Sequence, residues 1–155
     1  MNKRIIVGIV AVVAIVVIVG SFLALPQGQP VAQVKNIQLE AKEFGFNDFK
    51  GGPKIIVKAG ETVKVTLKNV GGAPHEFMVF KADQMQMGDE MEMVGHPDPY
   101  FKGAMTEEVK PGSSATITFV ADKPGNYVYA CLLDVGTKPD SHADRGMFGE
   151  FIVEG

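Results

Sequence analysis

The sequence of 155 residues has no tryptophan, one cysteine and only three histidines. One cysteine excludes an intramolecular disulfide framework, so a packed core must hold the fold unaided. It also leaves a lone thiol, an odd remainder outside the cytoplasm unless a metal occupies it. Positive charge is scarce too. Apart from Lys3 and Arg4, the chain carries 13 Lys+Arg against 18 Asp+Glu, a formal charge of −5. Such an acidic exterior excludes nucleic acid as a partner, which needs a basic patch. No internal repeat is evident.

What the chain has in excess is one apolar run. Ile5–Leu25 contains 21 residues without a charge, interrupted only by Gly8, Gly20 and Ser21. As a helix it would span about 31 Å, matching the hydrocarbon core of a bilayer. Lys3 and Arg4 precede it, so the positive-inside bias places the N-terminus in the cytoplasm and the rest of the chain outside. A cleaved signal peptide is the rival reading. The run is longer than the usual apolar core of such a peptide, and Ala24-Leu25-Pro26 makes a poor cleavage site, which favours a retained anchor. The expected organisation is an anchor (or uncleaved signal) over 1–25, a Pro/Gly-bearing linker over 26–33 and one domain over 34–155. The expected location is the cell membrane, single-pass.

The domain reads as strands. Thr62–Lys68 alternates strictly, with Val63, Val65 and Leu67 on one face. Ile37–Ala41 and Ala115–Phe119 alternate similarly, and Ile55–Val57 is a short apolar run. Turns punctuate them at Gly51-Gly52-Pro53, Ala59-Gly60, Gly71-Gly72, Pro111-Gly112 and Pro124-Gly125. This spacing predicts an all-β antiparallel sandwich or barrel. Lys81–Lys110 is too long for a tight connection, with a short helix expected around Ala82–Met87.

The chemistry concentrates in two places. Gly125–Cys131 ends in the single thiol, and after a ten-residue gap come His142 and Met147. Upstream, Asn69–Phe77 offers a second imidazole, His75. A thiolate, two imidazoles and a weak axial thioether are the donor set of a trigonal blue-copper electron-transfer site. Strand parity agrees: His75 shares a face with Phe77 and Val79, Cys131 with Tyr127 and Tyr129, and Met147 with Phe151 and Val153. His96 lies in Gly95-His96-Pro97-Asp98-Pro99 and reads instead as an exposed turn. Met85, Met87, Met91 and Met93 either capture Cu(I) or fill gaps beneath a long loop, and the second is the commoner use of methionine.

These residues resemble the cupredoxins, the plastocyanin and azurin family of blue-copper proteins, and are similar to the membrane-anchored, sulfocyanin-like type. Asn69-x-Gly71-x-x-Pro74-His75 resembles the first-histidine motif. Gly125-x-Tyr127-x-Tyr129-x-Cys131 resembles the strand that delivers the thiolate, and His142-x-x-x-Gly146-Met147-x-Gly149 the second-histidine and axial-methionine loop. The resemblance implies an eight-stranded Greek-key sandwich, one copper ion held by His75, Cys131, His142 and Met147, and one-electron transfer rather than enzymatic chemistry. The anchor would keep such a carrier near membrane oxidoreductases as redox partners, with His142, on a loop at the pole, as the expected exit edge and Gly71–Pro74 with Phe148 as an apolar docking surface. Two departures stand out. Ten residues separate Cys131 from His142, where the family usually has only a few. Glu76 follows His75 where Asn or Ser is common, which bears on a side-chain bond across the two ligand loops.

Alternatives narrow quickly. A binuclear copper centre needs two cysteines, a multicopper oxidase needs more histidine clusters, and a metal-free immunoglobulin-like domain leaves the ligand order unexplained. A copper storage or delivery protein using the Met-rich loop remains the second reading.

Overall fold

The computed structural model describes residues 33–48, 50–84, 96–134 and 141–155. The expected anchor over Ile5–Leu25, nearly all of the linker and Met85–Met93 lie outside the described residues. Among the described residues no helix is long and apolar enough to cross a membrane.

Among the described residues, eight strands form two four-stranded sheets. They are β1 (Val34–Lys42), β2 (Gly45–Phe46), β3 (Ile55–Lys58), β4 (Glu61–Asn69), β5 (Met78–Phe80), β6 (Ser114–Ala121), β7 (Gly125–Ala130) and β8 (Phe148–Glu154). One sheet runs β2-β1-β4-β6 and the other β3-β8-β7-β5. The sheets are mixed, not wholly antiparallel as the strand spacing suggests: β1 runs parallel to β4, and β3 parallel to β8. The reason is topological. The chain leaves β1, contributes β3 to the opposite sheet and returns as β4, so β1 and β4 are not joined by a hairpin.

Alternation along β4 buries Val63, Val65 and Leu67 completely while Lys64 and Lys68 face solvent. Each such side chain contributes about 1.5–3 kcal/mol by leaving water. The same period buries Tyr127 and Tyr129 on β7 and Phe151 and Val153 on β8. These residues join Phe46, Phe77, Phe101 and Phe119 in one core between the sheets.

The helix expected at Ala82–Met87 is, within the described residues, a three-residue 3-10 turn over Ala82–Gln84, closed by Lys81 N–H donating to Gln84 Oε1 at 2.7 Å. The second half of the long 81–110 connection is built into the sandwich. Tyr100 and Thr106 donate backbone bonds to Val79 and Phe77, Met105 bridges Met78, and Val109 bridges His75. Met78 and Phe80 therefore form a second apolar cluster with Leu132 and Ala143, packed by Met105. Both faces of β5 are buried, so the strand that follows His75 is fixed from two sides.

Candidate metal centre

Cys131 directly follows β7 and Met147 directly precedes β8, while His75 and His142 lie in the loops leading into β5 and β8. Asn69, buried at the end of β4, donates from Nδ2 to the carbonyls of Ala73 (2.7 Å) and Val109 (2.8 Å) and accepts the Gly71 amide at 2.9 Å. That closes the Gly71–Pro74 turn and aims the chain into His75, whose amide and carbonyl both pair with Val109. Cys131 follows β7 directly. Its amide donates to Met147 O at 3.1 Å, and Met147 N–H donates to His142 O at 3.0 Å. A tight turn supports His142: Asp144 Oδ2 accepts the Ser141 hydroxyl at 2.6 Å, and Gly146 takes φ +101°, a left-handed value suited to glycine.

The side chains converge. The ligating atoms of His75, Cys131 and His142 lie within 4.8 Å of one another. Cys131 Sγ is 3.2 Å from His142 Nδ1 and 4.0 Å from His75 Nδ1, and the imidazole centroids are 5.1 Å apart. Both rings thus offer Nδ1 to the sulfur and turn Nε2 away. His75, Cys131 and Met147 are fully buried, and His142 is only 6 % exposed. Glu76 N–H donates to Cys131 Sγ at 3.4 Å.

Burial governs the protonation of this cluster. It pushes the Cys131 thiol up to about 12, against the lowering effect of the Glu76 and Leu133 amides. It holds both imidazoles below their ordinary range; the neighbouring His142 charge adds to this at His75, and Arg145 adds to it at His142, where Asp134 opposes. Neutral rings keep a lone pair for a cation, whereas the thiol must shed its proton to a metal. A neutral thiol among two neutral imidazoles, with His75 Nε2 buried and without a hydrogen-bond partner among the described residues, is a poor arrangement for packing alone. It fits a soft cation bound by one sulfur and two nitrogens.

Four residues that sequence reasoning did not single out complete the surroundings. Glu43 Oε1, in the β1–β2 turn, accepts the amides of Gly72 (2.6 Å) and Ala73 and stands 3.7 Å from His75 Nε2. Asp134 Oδ2 stands 3.6 Å from His142 Nε2. The Phe44 ring meets His142 edge-on at 4.9 Å, with the Arg145 guanidinium 4.5 Å from its centroid. His142 is therefore covered, not an open edge at the surface. Phe148, by contrast, is half exposed. Gly71 leaves room for the Glu43 carboxylate: a Cβ there would come within 2.6 Å of it.

Glu76 spans the two ligand loops. Its Oε1 accepts the Leu132 amide at 3.0 Å and faces His96 Nε2 at 3.1 Å. His96 is thus a neighbour of Glu76, outside the ligand cluster.

A family model described as multicopper oxidase matches residues 25–155. The chain belongs to the multicopper oxidase family. The copper-containing nitrite reductase of Alcaligenes xylosoxydans xylosoxydans is 30% identical over 115 residues, 73% of this chain and 30% of that protein. The chain thus spans under a third of that relative's length. Dithionite-reduced auracyanin from Roseiflexus castenholzii superposes with a TM-score of 0.53 at 27% identity, covering 79% of this chain and 99% of that one. Auracyanin B shares the fold at 18% identity and a TM-score of 0.52, covering 78% and 89%. This member of the multicopper oxidase family therefore has a cupredoxin-like, copper-binding β-sandwich.

Proposed function

We propose that the protein is a type 1 copper electron-transfer protein in which His75, Cys131 and His142 form the trigonal set and Met147 the axial donor. The observation that carries this reading is the buried convergence of one thiol and two neutral imidazoles through their Nδ1 atoms. Copper held there would alternate between its cupric and cuprous states, carrying one electron. The chain's part is to hold one geometry for both. Two loops stapled by Glu76, a fully buried His75 and the Met147–His142 and Met147–Cys131 backbone bonds leave little room for the ligands to move.

The similarity to an auracyanin crystallised in a reduced state supports a redox role, and coverage of nearly that whole chain supports a carrier built from one domain. Of the three histidines, two stand at this centre and the third pairs with Glu76. A second copper centre built on a cluster of histidines, as an oxidase or nitrite reductase activity would use, would need more histidines than the three in this sequence. The apolar stretch Ile5–Leu25 supports tethering to a membrane, where the carrier would meet membrane oxidoreductases at raised effective concentration.

The test is the absorption spectrum of the copper-loaded, oxidised protein. One copper per chain and an intense thiolate-to-copper band near ~600 nm are expected, with loss of the band in Cys131→Ser. Weak absorption with several Cu(I) ions per chain would instead mark a storage or delivery protein.

A further inference from the structure

Among the described residues His75 Nε2, which is buried, has no hydrogen-bond partner, and the Glu43 carboxylate stands 3.7 Å from it. That separation is too long for a hydrogen bond. Yet Glu43 is no wandering surface acid. Its Oε1 is pinned by the amides of Gly72 and Ala73, and the missing Cβ of Gly71 makes room for the carboxylate. The Gly71-Gly72-Ala73 turn is thus a cradle that presents one anionic oxygen to the rear of His75. His142 repeats the arrangement with Asp134 at 3.6 Å, but Asp134 is 64% exposed whereas Glu43 is 33% exposed. Glu43 therefore acts through the drier medium, where a charge is felt more strongly.

We infer that Glu43 is a positioning residue for copper: its carboxylate accepts a hydrogen bond from His75 Nε2–H when Nδ1 binds the metal. The inference rests on the proposed ligand role of His75. A cation on Nδ1 leaves the ring proton on Nε2 and makes it more acidic, and a metal-bound imidazole almost always donates that proton to a carboxylate, carbonyl or water. Glu43 comes within reach after a shift of about 0.5–1 Å, and the bond fixes the ring's tautomer and plane. The carboxylate charge also favours the cupric state over the cuprous one, so Glu43 lowers the reduction potential.

The experiment compares the full chain with its Glu43→Gln and Glu43→Ala variants. In wild-type protein loaded with Cu(I), nitrogen-15 NMR is expected to show a slowly exchanging His75 Nε2–H, with exchange at least tenfold faster in Glu43→Ala. Competition titration is expected to show Cu(II) affinity reduced about 10–100-fold. Glu43→Gln, which keeps an oxygen for the amides and should fold if Glu43→Ala does not, is expected to raise the potential. A tenfold change in the Cu(II):Cu(I) affinity ratio corresponds to about 59 mV. A merely structural role would lower the melting temperature of the metal-free protein and leave the potential unmoved. If the wild type shows the intense band while Glu43→Gln matches it in potential and Cu(II) affinity within twofold, this inference falls and the copper assignment stands. If the wild type itself shows no such band, both fall.

Discussion

The Glu76 carboxylate accepts the Leu132 amide at 3.0 Å and so ties the loop carrying His75 to the loop carrying Cys131. The length of this acidic side chain lets it bridge the two loops. Its reach also lets His96 join from the 96–110 segment, at 3.1 Å. Three stretches of chain therefore meet at one buried carboxylate.

Glu76→Ala is expected to destabilise the fold by about 1–3 kcal/mol, because it strands the Leu132 amide in a dry site. Glu76→Gln keeps an oxygen for that amide and should cost less. Chemical denaturation of both metal-free variants checks the order, and equal stabilities would contradict it.

Copper loading near neutral pH is expected to release about one proton per ion. The thiol, pushed up to about 12 by burial, enters protonated, while the imidazoles, held low by burial, enter neutral and release none. Calorimetry in buffers of different ionisation enthalpy measures the number. The same shift has a sign for the metal-free fold. A thiol raised from 9.0 to about 12 contributes stability that is fully present below pH 9 and lost as pH rises towards 12.

Tyr129 lies flat against Gly149: a Cβ there would come within 2.4 Å of its ring, and its hydroxyl donates to Pro53 O at 2.6 Å. Gly149→Ala is expected to cost about 1–3 kcal/mol by displacing the ring of Tyr129, two residues before Cys131, from its stack on Phe77. Denaturant unfolding of the metal-free variant reads this directly.

Phe44 covers His142. Phe44→Ala is expected to speed reduction of the copper-loaded protein by a small hydrophilic reductant severalfold, with the intense visible band retained. Stopped-flow absorbance measures the rate, and an unchanged rate would place electron entry elsewhere, with half-exposed Phe148 the next surface to alter.

The strands and the burial of the candidate ligands were legible for the same reason. The alternation through Val63, Val65 and Leu67, and the parities of Cys131 and Met147, are local patterns that burial on one face enforces. The parallel pairing of β1 with β4 was not legible, because it depends on where the chain goes between them. Nor were Glu43, Phe44 and Asp134, whose importance comes from standing beside residues distant in sequence or across a loop. Glu76 was conspicuous in the motif, but only the fold shows that its carboxylate crosses to Leu132.

The measurement that bears most directly on the copper assignment is copper K-edge X-ray absorption on the oxidised, singly loaded protein. One short copper–sulfur bond and two copper–nitrogen bonds are expected, and Cys131→Ser is expected to abolish the short sulfur distance. A shell of nitrogen and oxygen alone around the metal, unchanged by that substitution, would contradict it.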